Sequence, residues 1–170
     1  MGECDAFVSH SWHDDAAAKW QALQVWREQF KKRHKGREPK LWIDKYCIDQ
    51  NSIKDSLACL PVFLAGSRRL LVLCGETYLE RLWCLIEIMV FIEMGGNVAE
   101  LNVELLKDAK TARKTRAPRQ SVVPEILQFD PRDAKCFTEY DTLRLQAVLE
   151  ITGHDRIAAV VRQALQTRLA

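Results

Sequence analysis

The sequence predicts an α/β protein: a central parallel sheet of about five strands with helices on both faces, in one domain spanning residues 1–170. Two observations carry this. Short apolar runs alternate along the chain with longer stretches at helical spacing. One of those runs, "RRLLVLC" (68–74), is continuous in its apolar character instead of alternating, as a strand covered on both faces must be.

In chain order, "DAFVSH" (5–10) is a short buried strand bounded by polar residues. From Asp15 to about His34, Trp20, Leu23, Trp26 and Phe30 fall at helical spacing and predict one core-facing stripe. Asp14 and Asp15 suit the N-terminus of that helix, while "KKRHKG" places cations and then Gly36 at its end. "KLWID" (40–44) is the second strand, and the polar loop "KYCIDQNS" follows. Residues 52–65 predict a helix broken or offset by Pro61, which removes a backbone donor. After the third strand, Gly75 to Tyr78 turn the chain into a helix that Gly95 and Gly96 end. "VAELNVELL" (98–106) is the fourth strand, and "EILQFD" or "AKCF" supplies a fifth. Residues 107–119, "KDAKTARKTRAPR", are strongly basic and read as an exposed loop or short helix, with a phosphate-contacting or docking patch as the sharper alternative. Two closing helices, about 139–152 and 155–168, place Leu145, Val148, Leu149, Ile157, Val160, Val161 and Leu165 in the core.

Bulk properties narrow the classes. Apolar residues at 48% and charged residues at 28% argue for a folded domain. A net charge of +2 gives no reason to expect nucleic acid or an anionic membrane as the main partner. The most apolar segment is broken by Glu87 and is shorter than a bilayer-spanning helix requires, so no membrane span is expected. The six cysteines are scattered, with no CxxC pair and no secretory leader pattern before the first strand, so reduced thiols and a cytoplasmic location are expected.

The run from Leu82 to Ile92 is wholly apolar except for Glu87. A carboxylate in such a run needs a partner or a task, because burial strips the ionised form of solvation. Trp83, Glu87 and Phe91 lie four residues apart and Cys84 three before Glu87, which puts them on one helix face. The residues alone leave two readings: a glutamate satisfied by a nearby arginine or backbone amide, or a partly desolvated carboxyl with a raised pKa at a site. In an open parallel sheet, ligands sit beyond the carboxyl ends of the strands, where "SHSWHDD", Asp44 with "KYCIDQN", and "GETYLERL" all converge. His10, His13, Asp14 and Asp15 lie close together but lack a second ligand cluster, so no metal site is expected. No G-x-x-x-x-G-K-[ST] or G-x-G-x-x-G follows a strand, which argues against nucleotide triphosphate hydrolysis and hydride transfer.

"DAFVSHSWHDD", "LWIDKYCIDQNSI" and "SRRLLVLCGETYLERLWCLIEI" resemble, in order and spacing, the first strand and loop, second strand and loop, and third strand and following helix of Toll/interleukin-1 receptor (TIR) domains of bacterial, protist and plant type. The likeness covers about residues 4–95, and Trp83, Cys84 and Glu87 resemble the W-C-x-x-E element of plant members. It implies a flavodoxin-like fold. For enzymatic members it also implies cleavage of the nicotinamide–ribose bond of NAD, with NAD as substrate and no prosthetic group. The product is ADP-ribose or a cyclic isomer, and self-association with like domains switches the activity on. Glu87 stands at the position of the catalytic carboxylate, where it would contact the nicotinamide ribose and stabilise oxocarbenium charge. His10, Ser11, Trp12 and His13 fall near the nucleotide, with Trp12 or Trp42 able to stack on a base; Asp44, Trp83 and Cys84 complete the implied substrate-binding set. The bland alternatives are packing tryptophans, solvated or capping histidines and a small buried cysteine.

Two departures keep a second function in view. "KYCIDQNS" lacks the Pro-Gly pair of signalling adaptors, and "LWIDKYCIDQ" also resembles the core motif of fungal heterokaryon-incompatibility domains. A non-catalytic homotypic assembly module in immune or cell-death signalling is the competing expectation.

Overall fold

The computed structural model describes residues 4–47, 59–106 and 128–169. Its centre is the continuous apolar run: β3 (Leu70–Cys74) is buried along its whole length because helices cover both of its faces. β1 (Ala6–His10), β2 (Leu41–Trp42) and β4 (Leu101–Leu105) join it in one parallel sheet of order β2-β1-β3-β4. Register pairs Phe7 with Leu70 and Ser9 with Val72, and Val72 in turn with Val103.

Alternation along each strand then divides the core. Ala6, Val8, Leu71 and Leu73 face α1 (Ala16–Arg33), meeting Trp26 and Phe30. On the other face Phe7, Leu70, Val72, Leu101 and Val103 meet α3 (Leu60–Ala65), α4 (Leu82–Glu93), α5 (Glu139–Thr152) and α6 (His154–Leu169). A short helix α2 (Asp44–Cys47) follows β2. The expected α/β architecture with helices on both faces is what forms.

Local chemistry fixes the boundaries. Asp15 caps α1 by accepting from the Ala18 amide at 2.7 Å, and Lys31, Lys32 and Arg33 close its last turn. Pro61 sits in the first turn of α3, where a missing amide proton is harmless. At the α5–α6 junction Gly153 takes φ 93°, a left-handed conformation that favours glycine. Asp5 accepts from both terminal nitrogens of Arg37, at 2.7 and 2.8 Å, and from the Lys40 amide, which ties the start of β1 to the approach to β2.

Several expectations are corrected. The second strand is only Leu41–Trp42, since Asp44 already opens α2. Val98–Glu100 is a 3-10 turn capped reciprocally by Asn97 and Glu100, so the fourth strand begins at Leu101. "AKCF" gives a single bridge, Lys135 to Arg81, and of "EILQFD" the residues Gln128 to Asp130 form no strand while 125–127 lie outside the described residues. Four strands are therefore described where about five were expected. Trp20 is 63% exposed because, at 3.6 residues per turn, it falls about 120° round the helix from buried Trp26. Val148 is exposed as well, while Leu149, Ile157 and Val161 are core. The basic segment 107–119, the loop from 48 onward, the start of the helix expected over 52–65 and the side chain of Leu165 lie outside the described residues.

Candidate functional site

The strand order changes direction between β1 and β3, and in such sheets the crevice beyond that switch point is where ligands bind. A cluster of polar residues gathers there. From β1 and its loop come Ser9, His10, Ser11, Trp12, His13 and Asp14; from the end of β3 and the turn after it come Gly75, Thr77 and Tyr78; from α4 comes Glu87.

Glu87 finds neither an arginine nor a backbone amide among the described residues. Its partner is the Ser9 hydroxyl, which donates to Oε2, and Ser9 in turn lies 2.6 Å from the Tyr78 hydroxyl. The residue as a whole keeps partial solvent contact, but its carboxyl is desolvated, and that loss of hydration pushes its pKa up to about 8. The Ser9 bond works against the shift, and the charge of Asp44 adds to it. At neutral pH the unliganded carboxyl is therefore mainly protonated.

Asp44 gathers the first loop. It accepts from Trp12 Nε1 at 2.7 Å and lies 3.3 Å from His10 Nε2. That bond holds by its edge an indole that is otherwise 59% exposed, leaving an aromatic face open beside the crevice. His10 Nδ1 is buried without a partner. Arg81 donates to His13 Nε2 at 3.0 Å, so that nitrogen accepts and the imidazole carries its proton on Nδ1.

Below this loop lies a bracing layer. The Asp14 Oδ1 accepts from both the amide and the hydroxyl of Thr77, at 3.0 and 2.8 Å, and Thr77 lies 2.7 Å from the Ser11 hydroxyl. Gly75 makes room for it: a Cβ there would lie 2.4 Å from the Asp14 carboxyl carbon. Lys19 donates to the Ser11 carbonyl at 2.7 Å, and partial burial lowers its pKa against the opposing pull of Asp14, Asp15 and Asp44. Among the described residues, no three His, Cys, Asp or Glu side chains are grouped to hold a metal ion.

The expected site residues thus separate. His10, Trp12 and Asp44 are linked to one another, and the charge of Asp44 reaches Glu87. Ser11 is buried and turned into the bracing layer. Trp42 belongs to the core: it is 7% exposed and stacked between Phe7 and Phe63, with ring centroids 4.2 and 5.0 Å away, so it offers no face to a ligand. Trp83 packs partly buried against the main core. Cys84 is buried, and desolvation, then the neighbouring Glu87, hold its thiol well above its usual pKa; it is a neutral thiol, not a thiolate nucleophile. Ser9, Lys19 and Tyr78 were not anticipated. The signal for Ser9 was a hydroxyl on the same strand face as Phe7, where the alternation calls for an apolar side chain.

The chain matches no protein-family model and no curated protein. Among the described residues no helix is long and apolar enough to cross a membrane.

Proposed function

We propose that this chain is a TIR-like domain that cleaves the nicotinamide–ribose bond of NAD, with Glu87 as the catalytic carboxylate. The observation that carries the reading is a desolvated carboxyl, its pKa pushed up to about 8, at the switch-point crevice of a parallel sheet. Such a group binds a cationic ligand at an advantage, because the positive pyridinium restores the ionised form that burial disfavours. As the bond to nicotinamide breaks, its electron pair leaves with the base and positive charge moves to the ribose, where the carboxylate stabilises it. Water attacking that carbon gives ADP-ribose and a proton; attack by an adenine nitrogen of the same molecule gives a cyclic isomer. Trp12, pinned through Asp44, offers a stacking face for a base.

A second reading has its own observation. α5 is apolar on two sides: Leu149 enters the core, while Tyr140, Leu143 and Ile151, with Phe137 just before the helix, are exposed. Homotypic contact through this face fits an assembly module in immune or cell-death signalling, either in place of catalysis or as its trigger.

The deciding experiment incubates concentrated protein with NAD and follows nicotinamide by chromatography. Release abolished by Glu87→Gln and Glu87→Ala, with circular dichroism unchanged, supports the enzyme. No release from parent protein that demonstrably self-associates sinks it and leaves assembly. Loss of self-association in Leu143→Glu/Ile151→Glu, by analytical ultracentrifugation, identifies the contact face.

A further inference from the structure

Ser9 is fully buried on β1, on the sheet face that α4 covers. A hydroxyl there is unfavourable unless hydrogen-bonded, so its two contacts have a structural reason to exist. Their direction follows from counting protons. A serine hydroxyl has one, and when the carboxylate is ionised Ser9 gives it to Glu87 Oε2; the 2.6 Å contact to Tyr78 is then made with the phenol's proton. Tyr78 is 1% exposed, and burial first, then the neighbouring Cys84 and Glu87, hold the pKa of its phenol well above the usual value. A buried phenol that keeps its proton has it available to donate to Ser9.

We propose that Ser9 and Tyr78 are positioning residues for Glu87: a one-way chain of hydroxyls, Tyr78 to Ser9 to Glu87, that clamps Oε2 and leaves Oε1 for the ligand. The proposal rests on the reading of Glu87 as the site's carboxylate. Other groups act on the same carboxyl or its neighbours. Asp44, at the start of α2, opposes its ionisation. Cys84 on α4 and Cys74 on β3 both carry raised thiol pKa values and are neutral. Arg81, before α4, and Asp14, in the first loop, act on Cys84. α3 presents no charged side chain, and the α6 cation Arg156 is engaged by Glu93, the last residue of α4. Thr152 of α5 meets Met89. The Ser9 proton is therefore the one donor to the carboxylate among these groups.

The test is a 13C NMR titration of the Glu87 carboxyl in the parent protein, Ser9→Ala, Ser9→Thr and Tyr78→Phe, beside the pH profile of nicotinamide release. Loss of one hydrogen bond to a charged group should move the Ser9→Ala titration alkaline by about one to two pH units, Tyr78→Phe by less in the same direction, with Ser9→Thr restoring it. The pH dependence of kcat/KM should move in parallel. A carboxyl that titrates in folded Ser9→Ala where it does in the parent overturns the proposal; should Ser9→Ala fail to fold, an unmoved titration in Tyr78→Phe does so. Shifted titrations without nicotinamide release from any protein support the hydroxyl chain and instead count against the catalytic reading, so the two fail separately.

Discussion

Glu87→Gln should make this protein more stable, and by an amount that depends on pH in a defined way. The folded carboxyl has its pKa raised from 4.5 to about 8, chiefly by desolvation. Below pH 4.5 both folded and unfolded chains carry the proton, and the residue costs nothing through ionisation. As pH rises the unfolded chain ionises first, so the folded state holds more protons and stability falls until the folded group also ionises near pH 8. Integrated over that interval at 1.36 kcal/mol per pH unit, the penalty approaches about 5 kcal/mol. Partial solvent contact reduces this to about 2–4 kcal/mol. The amide is nearly isosteric, cannot ionise, and still accepts from Ser9 through its carbonyl oxygen. Urea unfolding of both proteins at pH 4, 6 and 8 measures the difference. The gap between variant and parent should be near zero at pH 4 and widest at pH 8. Parallel stability profiles across that range would falsify the desolvation of Glu87, and with it the physical basis for a catalytic role. A variant that is more stable and also inactive would show a carboxylate retained at a cost to the fold.

The same raised pKa sets the activity profile. Since the ionised carboxylate is the competent form, kcat/KM for NAD should rise about tenfold per pH unit below the transition and level off above about 8, as measured by initial rates of nicotinamide release. Trp12→Ala should raise KM with little change in melting temperature, whereas Trp42→Ala, which removes the ring between Phe7 and Phe63, should lower stability by about 3–5 kcal/mol in denaturant unfolding. Equal losses of stability in the two would contradict their assignment to surface and core. Asp5 behaves in the opposite sense to Glu87: its hydrogen bonds to Arg37 hold its pKa down at about 2, so its contribution is complete above about 3.8 and lost as pH falls towards 2. Asp5→Asn should therefore destabilise by about 2 kcal/mol at neutral pH and by progressively less in acid. Gly75→Ala should displace the Asp14 carboxyl and lower the melting temperature, as read by thermal scanning with Asp14→Asn for comparison.

Sequence pattern alone established the parallel sheet, both closing helices, the acidic start of α1 at Asp14 and Asp15 and the isolation of Glu87 within an apolar helix, because these follow from periodicity and nearest-neighbour chemistry that the chain carries locally. It also named the three segments whose ends converge on the crevice. What it left undecided are facts of angle and register. Trp12 and Trp42 are alike as letters; only the packing of β2 beside β1 puts one between two phenylalanines and leaves the other open. Trp20 matched a helical stripe, yet it lies beyond the arc that the sheet covers. The partner of Glu87 could not be deduced, because Ser9 is 78 residues away and reaches it only when β1, paired with β3, passes beneath α4. Burial of a carboxyl is a property of everything folded around it, and so its pKa, and the chemistry open to it, belong to the tertiary structure.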